Sequence, residues 1–367
     1  MLKKIIFLCT LLLLAFSFAT YSYALETSAK SAVLIECESG DIVYSKNASS
    51  RVPMASTTKI MTAIVAIENG DLDKSIIIPK EAVGIEGSSI YLKENERLTL
   101  SELLYALLLE SANDAATAIA IEIGGNVEDF SKMMNCKAAE LNLENTHFCN
   151  PHGLDDEMHY TTAYDLAILA RYAMQLPQFY EIVSSVKETI PLSDDGKRLL
   201  VNHNKLLKNY EGAIGVKTGF TKKSGRCLVS CAERNGVRLI AVTLNAPNDW
   251  NDHKSMLDYG FEQYERVHLA NAGDYTISLK CINGQKSDVL CTNFSALDVT
   301  LKKENVDGLS AVFESERFVF APIKQGTRVG RIVYYLDKQE IATLDICTLE
   351  SVKNIKYKKS IFERIFT

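Results

Sequence analysis

The order in which hydrophobic periods follow one another constrains this chain most. Ser31–Glu38 and Ile42–Ser45 are strand-like runs on either side of Ser39-Gly40-Asp41, a hairpin signal. Helical spacing then takes over. Ile60, Ala63, Ile64 and Ile67 recur within Thr57–Glu68, and Leu103, Leu104, Leu107 and Leu108 share one face of Leu100–Glu110. Further helices are expected at Ala115–Ile123 and Thr162–Leu176. Gly70 should cap the first helix and Ser101 the second; Gly124-Gly125 should end the third. Thr162 and Asp165 stand in the capping-box relation, with Pro177 beyond the end of that helix. After Gly215 the period returns to two. Leu228–Glu233 and Val237–Leu244 flank Arg234-Asn235-Gly236, an Asn-Gly turn, and a last helix near His253–Val267 closes the region. Strands, then many helices, then strands again exclude a doubly wound βαβ arrangement. They predict an α+β domain, a mixed sheet with a helical insertion.

From about Gly273 the runs become short, strand-like and separated by Gly, Asn and Asp: Tyr275–Lys280, Ser287–Thr292, Asp298–Leu301, Ala311–Phe313, Phe318–Phe320, Gly330–Leu336 and Glu340–Cys347. A small all-β domain follows from that pattern. A length of 367 residues accommodates both units. All six histidines precede the second unit, which makes it a poor place for acid–base chemistry. The division expected is a targeting segment at 1–24, a catalytic domain at 25–269, a β-rich domain at 270–350 and a tail at 351–367.

The two ends carry their own signals. Lys3 and Lys4 precede an apolar run from Ile5 to Phe18, with small residues at Ser22 and Ala24. This is the pattern of a secretory signal peptide cleaved after Ala24, since the run is shorter than the ~20 residues that span a bilayer. Action outside the cytoplasm follows. The tail sets Lys353, Lys356, Lys358, Lys359 and Arg364 against Glu363. Its Ile355, Ile361, Phe362, Ile365 and Phe366 lie largely on one side of a helix, with Lys358 interrupting the face, which points to a membrane surface. A formal charge of −6 and the lack of a long basic block argue against nucleic acid as a partner. The eight cysteines after Ala24 have no C-x-x-C spacing, which excludes a zinc ribbon. Export permits disulfides, and Cys136 with Cys149 or Cys281 with Cys291 are the pairs close enough in sequence to consider.

Three short motifs carry chemistry. Ser56-Thr57-Thr58-Lys59 places a serine at a helix start and a lysine one turn later on the same side. A serine hydroxyl becomes a nucleophile when a neighbour takes its proton, and a neutral lysine can do so. Ser111-Ala112-Asn113 lies in the link between two helices, where Ser111 can relay a proton and Asn113 can hold an amide. Lys217-Thr218-Gly219 ends a β-run: the Lys supplies charge, the Thr a hydroxyl, and the Gly lets a peptide approach the strand edge. Each motif has a decoy, in Ser184-Ser185-Val186-Lys187, Ser45-Lys46-Asn47 and Lys223-Ser224-Gly225. The first decoy reads as helix surface continuing toward Pro191. Only the ordered set of three discriminates.

That ordered set is the signature of penicillin-binding proteins and serine β-lactamases. The stretch Pro53–Thr62 resembles the active-site segment of the low-molecular-mass D-alanyl-D-alanine carboxypeptidases, serine peptidase family S11. Asn150-Pro151-His152-Gly153-Leu154, Val216–Thr221 and Cys227-Leu228-Val229 resemble them too. The resemblance implies that Ser56 attacks the carbonyl of the penultimate D-Ala of a peptidoglycan stem peptide, with Lys59 as base. It implies that Ser111 and Asn113 orient substrate and assist proton transfer, and that Lys217 and Thr218 face the terminal carboxylate. The Ser56 and Phe220 N–H groups then form the oxyanion hole beside Gly219. It implies inhibition by β-lactams and no cofactor. Asp249–Lys254 is similar to members from endospore formers. A D,D-endopeptidase of the same class and a catalytically weak wall-binding protein are the alternatives. A class A β-lactamase is disfavoured by Ala112 where S-D-N needs Asp. The cluster of His147, His152 and His159 lacks H-E-x-x-H, which disfavours a zinc peptidase.

Overall fold

The computed structural model describes residues 25–192 and 196–355; the expected signal segment 1–24 and most of the tail lie outside them. In chain order the first unit runs β1 (Ser31–Glu36), β2 (Ile42–Lys46), a 3-10 turn Ala55–Thr58, α1 (Lys59–Asn69), β3 (Ser75–Ile77) and β4 (Arg97–Thr99). There follow α2 (Leu100–Leu109), α3 (Asn113–Gly124), α4 (Val127–Glu140), α5 (Ala163–Ala173), α6 (Pro177–Ser184), β5 (Lys187–Leu192), β6 (Gly196–Val201) and α7 (Leu206–Asn209). It ends with β7 (Ala213–Thr221), β8 (Gly225–Arg234), β9 (Val237–Leu244) and α8 (Asp249–Gln263).

The chain's two ends build one five-stranded sheet in the order β2-β1-β9-β8-β7, with the helices inserted between β2 and β7. The α+β class is as expected; the strands, however, are antiparallel at every pairing rather than mixed in direction. All six residues of β1 are buried because the sheet is covered on both faces. Val33, Ile35, Val229, Ile240 and Val242 meet the helical layer of α1, α2 and α3, while Leu34, Leu239 and Ala241 meet Met256 and Leu257 of α8. The Asn-Gly turn forms as read, with φ of 51° at Asn235 and 79° at Gly236, the conformation that a two-residue hairpin loop requires.

Gly70 caps α1 as expected, in an extended conformation. Three local expectations are corrected. The cap of α2 is Thr99, not Ser101, in a complete capping box with Glu102. Pro177 lies beyond α5 as expected and opens a further helix, α6, whereas the Ser184–Lys187 decoy straddles the end of α6 and the start of β5, which also contains Pro191. The last helix stops at Gln263, because Tyr264–Ala270 (β10) pairs antiparallel with Leu297–Lys302. That strand pair joins the first unit to a six-stranded β domain, whose one short 3-10 turn is Lys303–Gly308. The expected strands of that domain all form. Cys136, Cys149, Cys281 and Cys291 are free thiols, so neither considered disulfide is present.

Candidate active site

Ser56 sits in the 3-10 turn ahead of α1, not in the helix proper, and Ala55 before it takes a φ of 48°. The turn is pressed between two segments. On one side Gly219 of β7 comes so close that a Cβ there would lie 3.0 Å from the Ser56 nitrogen and 3.1 Å from that of Thr57. On the other side Gly153, at φ 88°, has its missing side chain directed at the Ala55 carbonyl, 2.0 Å from where a Cβ would fall. Only glycine fits either place. The Gly of Lys217-Thr218-Gly219 therefore lets the strand edge lie against the nucleophile's own backbone.

Lys59 is fully buried, and its Nζ has three partners: Ser56 Oγ at 2.9 Å, Asn113 Oδ1 at 2.7 Å and the His152 carbonyl at 2.6 Å. Asn113 is oriented by its own Nδ2, which donates to the Glu86 carbonyl. Burial first, and the neighbouring Lys217 charge second, hold the Lys59 ammonium well below its ordinary pKa, with Asp114 opposing. A neutral amine has two N–H donors and one lone pair. The amide and carbonyl oxygens can only accept, so the lone pair is left for the Ser56 hydroxyl proton. This is the arrangement of a base poised on a nucleophile.

The remaining motif residues converge on the same place. Ser111, at φ 61° between α2 and α3, is buried with no hydrogen-bond partner for its Oγ, and it lines the cleft in front of Ser56. Lys217 is buried, its Nζ donates to the Thr218 carbonyl, and burial pushes its pKa down to about 7 against the pull of Glu110. Thr218, Gly219 and Phe220 line the cleft, with Phe220 66% exposed at its lip. Residues not foreseen complete the walls: Ser88, His203, Lys205, Arg226 and Trp250, around a space of about 340 Å³. Ser88 arrives through a loop whose carbonyl accepts from the Asn113 N–H, and no local pattern marks it.

The histidine cluster does structural work. His159 Nδ1 accepts from the Cys149 N–H, so Nε2 carries the proton and donates to Thr58 Oγ1, which in turn donates to the Ala55 carbonyl. Among the described residues no group of three His, Cys, Asp or Glu side chains is placed to hold a metal ion. Burial holds His159 at about 4 and His152 at about 3. His253 of α8, wedged between Thr243 Oγ1 and Ser230 Oγ, is likewise held at about 3. These imidazoles are neutral when folded but bind a proton near pH 6.5 when unfolded. Their stabilisation is complete above pH 6.5 and is lost as pH falls from there toward 3–4. Melting temperature is expected to drop through that window. His253→Gln should flatten the drop by one proton, about 1.4 kcal/mol per pH unit. An unchanged slope in the variant would refute the assignment.

A serine on a tight turn, a buried lysine on its hydroxyl, a second lysine on a facing strand and a mainly helical insertion define a serine acyl-transfer enzyme of the penicillin-recognising class. The chain belongs to the D-alanyl-D-alanine carboxypeptidase family, whose profile matches residues 18–248; that of the C-terminal domain of penicillin-binding protein 5 matches residues 264–354. D-alanyl-D-alanine carboxypeptidase DacF of Bacillus subtilis is 35% identical over 334 residues, 89% of this chain and 86% of that protein. DacC of Escherichia coli is 30% identical over 362 residues, 92% and 89% of the two chains. The crystal structure of a peptidoglycan synthesis regulatory factor (PBP3) from Streptococcus pneumoniae superposes with a TM-score of 0.76 at 27% identity, covering 89% of this chain and all of that one. The protein is a serine-type D-Ala-D-Ala carboxypeptidase that acts on the cell wall.

Proposed function

We propose that Ser56 Oγ attacks the carbonyl of the penultimate D-Ala of a stem pentapeptide while Lys59 Nζ takes its proton. The peptide bond breaks, the terminal D-Ala leaves with a proton on its amine, and an ester remains on Ser56. Water then hydrolyses the ester. The observation that carries this reading is the trio of partners on Lys59 Nζ, two of them pure acceptors and the third the nucleophile. Ser111, whose Oγ has no protein partner, delivers the proton to the departing amine, and Asn113 holds Lys59 in line while facing substrate. The Ser56 and Phe220 N–H groups receive the oxyanion, an interaction in which one donor is worth roughly 10²–10³ in rate. Lys217 and Thr218 face the terminal carboxylate.

Incubation of a synthetic stem pentapeptide with the protein, followed by mass analysis, tests the reading. Loss of one alanine is the expected result. Cleavage confined to cross-linked dimers would replace it with the endopeptidase alternative.

The same reading extends along the chain. Residues 1–24 direct export, 25–269 form the catalytic domain, and 270–350 form a β domain without chemistry of its own. Residues 351–367 lay a basic, apolar-faced segment on the membrane surface. Among the described residues no helix is long and apolar enough to cross a membrane. In this scheme the tail attaches peripherally, through its basic, apolar-faced pattern. The Asp249–Lys254 segment supports a narrower place for the enzyme in the spore wall.

A further inference from the structure

A carboxypeptidase differs from an endopeptidase in one chemical respect: the residue it releases carries a free carboxylate. The cleft must hold a cation for that group. Lys217 lies behind its wall, His203, Lys205 and Arg226 line it, and the four differ sharply. Lys217 is completely buried and donates to its own strand's Thr218 carbonyl, and its proton is held only to about pH 7. His203 is paired with Glu110 at 3.0 Å. Lys205 is exposed at the rim. Arg226 presents a planar guanidinium, and its side chain is less than half exposed.

Arg226 is also the best anchored of the four. It stands opposite Phe220 in the β7–β8 hairpin, two residues from Leu228, the partner of Thr218. Side chains of Thr218 and Arg226 therefore leave the same face of the hairpin as diagonal neighbours, about 7–8 Å apart at the backbone and within reach of one small anion. The Arg226 carbonyl accepts from the Ala246 N–H, tying its strand to the segment that leads into α8. From the start of that helix the buried Asp249 accepts from Nη2 at 2.9 Å, and the Trp250 ring lies 5.7 Å from the guanidinium carbon. This is the side chain's one hydrogen bond among the described residues. It leaves four of the five guanidinium N–H donors for a ligand.

We propose that Arg226, braced by Asp249 and Trp250, reads the terminal carboxylate of the substrate together with Thr218 and so makes the enzyme select free chain ends. The proposal rests on the carboxypeptidase reading above. A fixed, planar cation matches a carboxylate through two parallel hydrogen bonds, which a rim lysine does not supply.

The test compares a peptide ending in D-Ala-D-Ala as the free acid with the same peptide as its C-terminal amide, in the wild type and in Arg226→Gln and Arg226→Lys. Arg226→Gln is expected to lower kcat/KM on the acid about 10- to 100-fold while leaving the amide unchanged, so that the preference for the acid collapses. Arg226→Lys should recover part of it. Acylation of Ser56 by a penicillin and by its methyl ester gives the same comparison without D-Ala release, and melting temperature checks the fold of each variant. A wild type that acylates but releases no D-Ala would refute the carboxypeptidase reading, and the acid-versus-ester ratio would still decide Arg226. An undiminished ratio in Arg226→Gln, or equal losses on acid and amide, would overturn the proposal.

Discussion

Ser56→Ala is expected to abolish both D-Ala release and covalent labelling by a penicillin, a fall on the order of 10⁴–10⁶ in turnover. The size follows from the geometry. Among the described residues Ser56 Oγ is the one hydroxyl hydrogen-bonded to Lys59 Nζ. Ser111 Oγ reaches the same cleft but is not bonded to the lysine. Removing Oγ leaves Lys59 with the Asn113 and His152 oxygens, and the turn keeps the contacts of Thr57 and Thr58 with the Met54 and Ala55 carbonyls. Melting temperature should therefore stay within a few degrees of the wild type. Intact-mass measurement after exposure to a penicillin reads the outcome. An adduct of undiminished yield on Ser56→Ala would show that the nucleophile lies elsewhere.

How much of this site was legible before the fold was known depends on which force places each residue. Ser56 and Lys59 are three apart, and one turn of either helix type brings them together, so the pair survives the change from the expected α-turn to a 3-10 turn. Lys217-Thr218-Gly219 was legible as a strand, although its role beside Ser56 depends on a packing distance that sequence does not contain. The class of fold was legible because strand-like runs at both ends flank a stretch of helical spacing, and those runs became β1, β8 and β9 of one sheet. What failed was local. Tyr264–Val267 continues the polar–apolar pattern of α8, but pairing with Leu301 and its neighbours offers backbone hydrogen bonds that outweigh one more helical turn. Val127–Glu140 was not foreseen, although Val127, Phe130, Met134 and Ala138 recur at helical spacing and Asn126 caps it. The walls of the cleft were the least legible part. Ser88 and His203 come from separate connections and Trp250 from the first turn of α8, each placed by tertiary contacts. Arg226 had a usable signal: counting the β7–β8 hairpin back from its three-residue turn, 222–224, sets it against Phe220.

The second large effect is expected at Lys59. Arginine there keeps the positive charge and enough donors to bond Asn113 and the His152 carbonyl, yet it cannot give up its proton in the accessible pH range. If Lys59 acts as the base, Lys59→Arg should slow acylation of Ser56 by roughly 10³-fold, within the 10²–10⁴ that a positioned base contributes, and higher pH should not restore it. If Lys59 acted only as a fixed charge, the arginine variant would retain most of the rate. The pH profile adds an independent reading. Burial and the Lys217 charge both lower the Lys59 pKa, so taking the charge away in Lys217→Gln raises it. The acid limb of the acylation rate should then move to higher pH. In the wild type, Lys217 itself gives up its proton as pH rises through about 7, weakening the cleft for an anionic substrate. Lys217→Arg cannot lose its charge, and the alkaline limb should move out of range while the acid limb stays. Stopped-flow acylation by a chromogenic cephalosporin between pH 5 and 10 measures both limbs. An acid limb that ignores Lys217→Gln would mean that the two ammonium groups do not feel each other, and the assignment of Lys59 as the proton acceptor would lose its electrostatic basis.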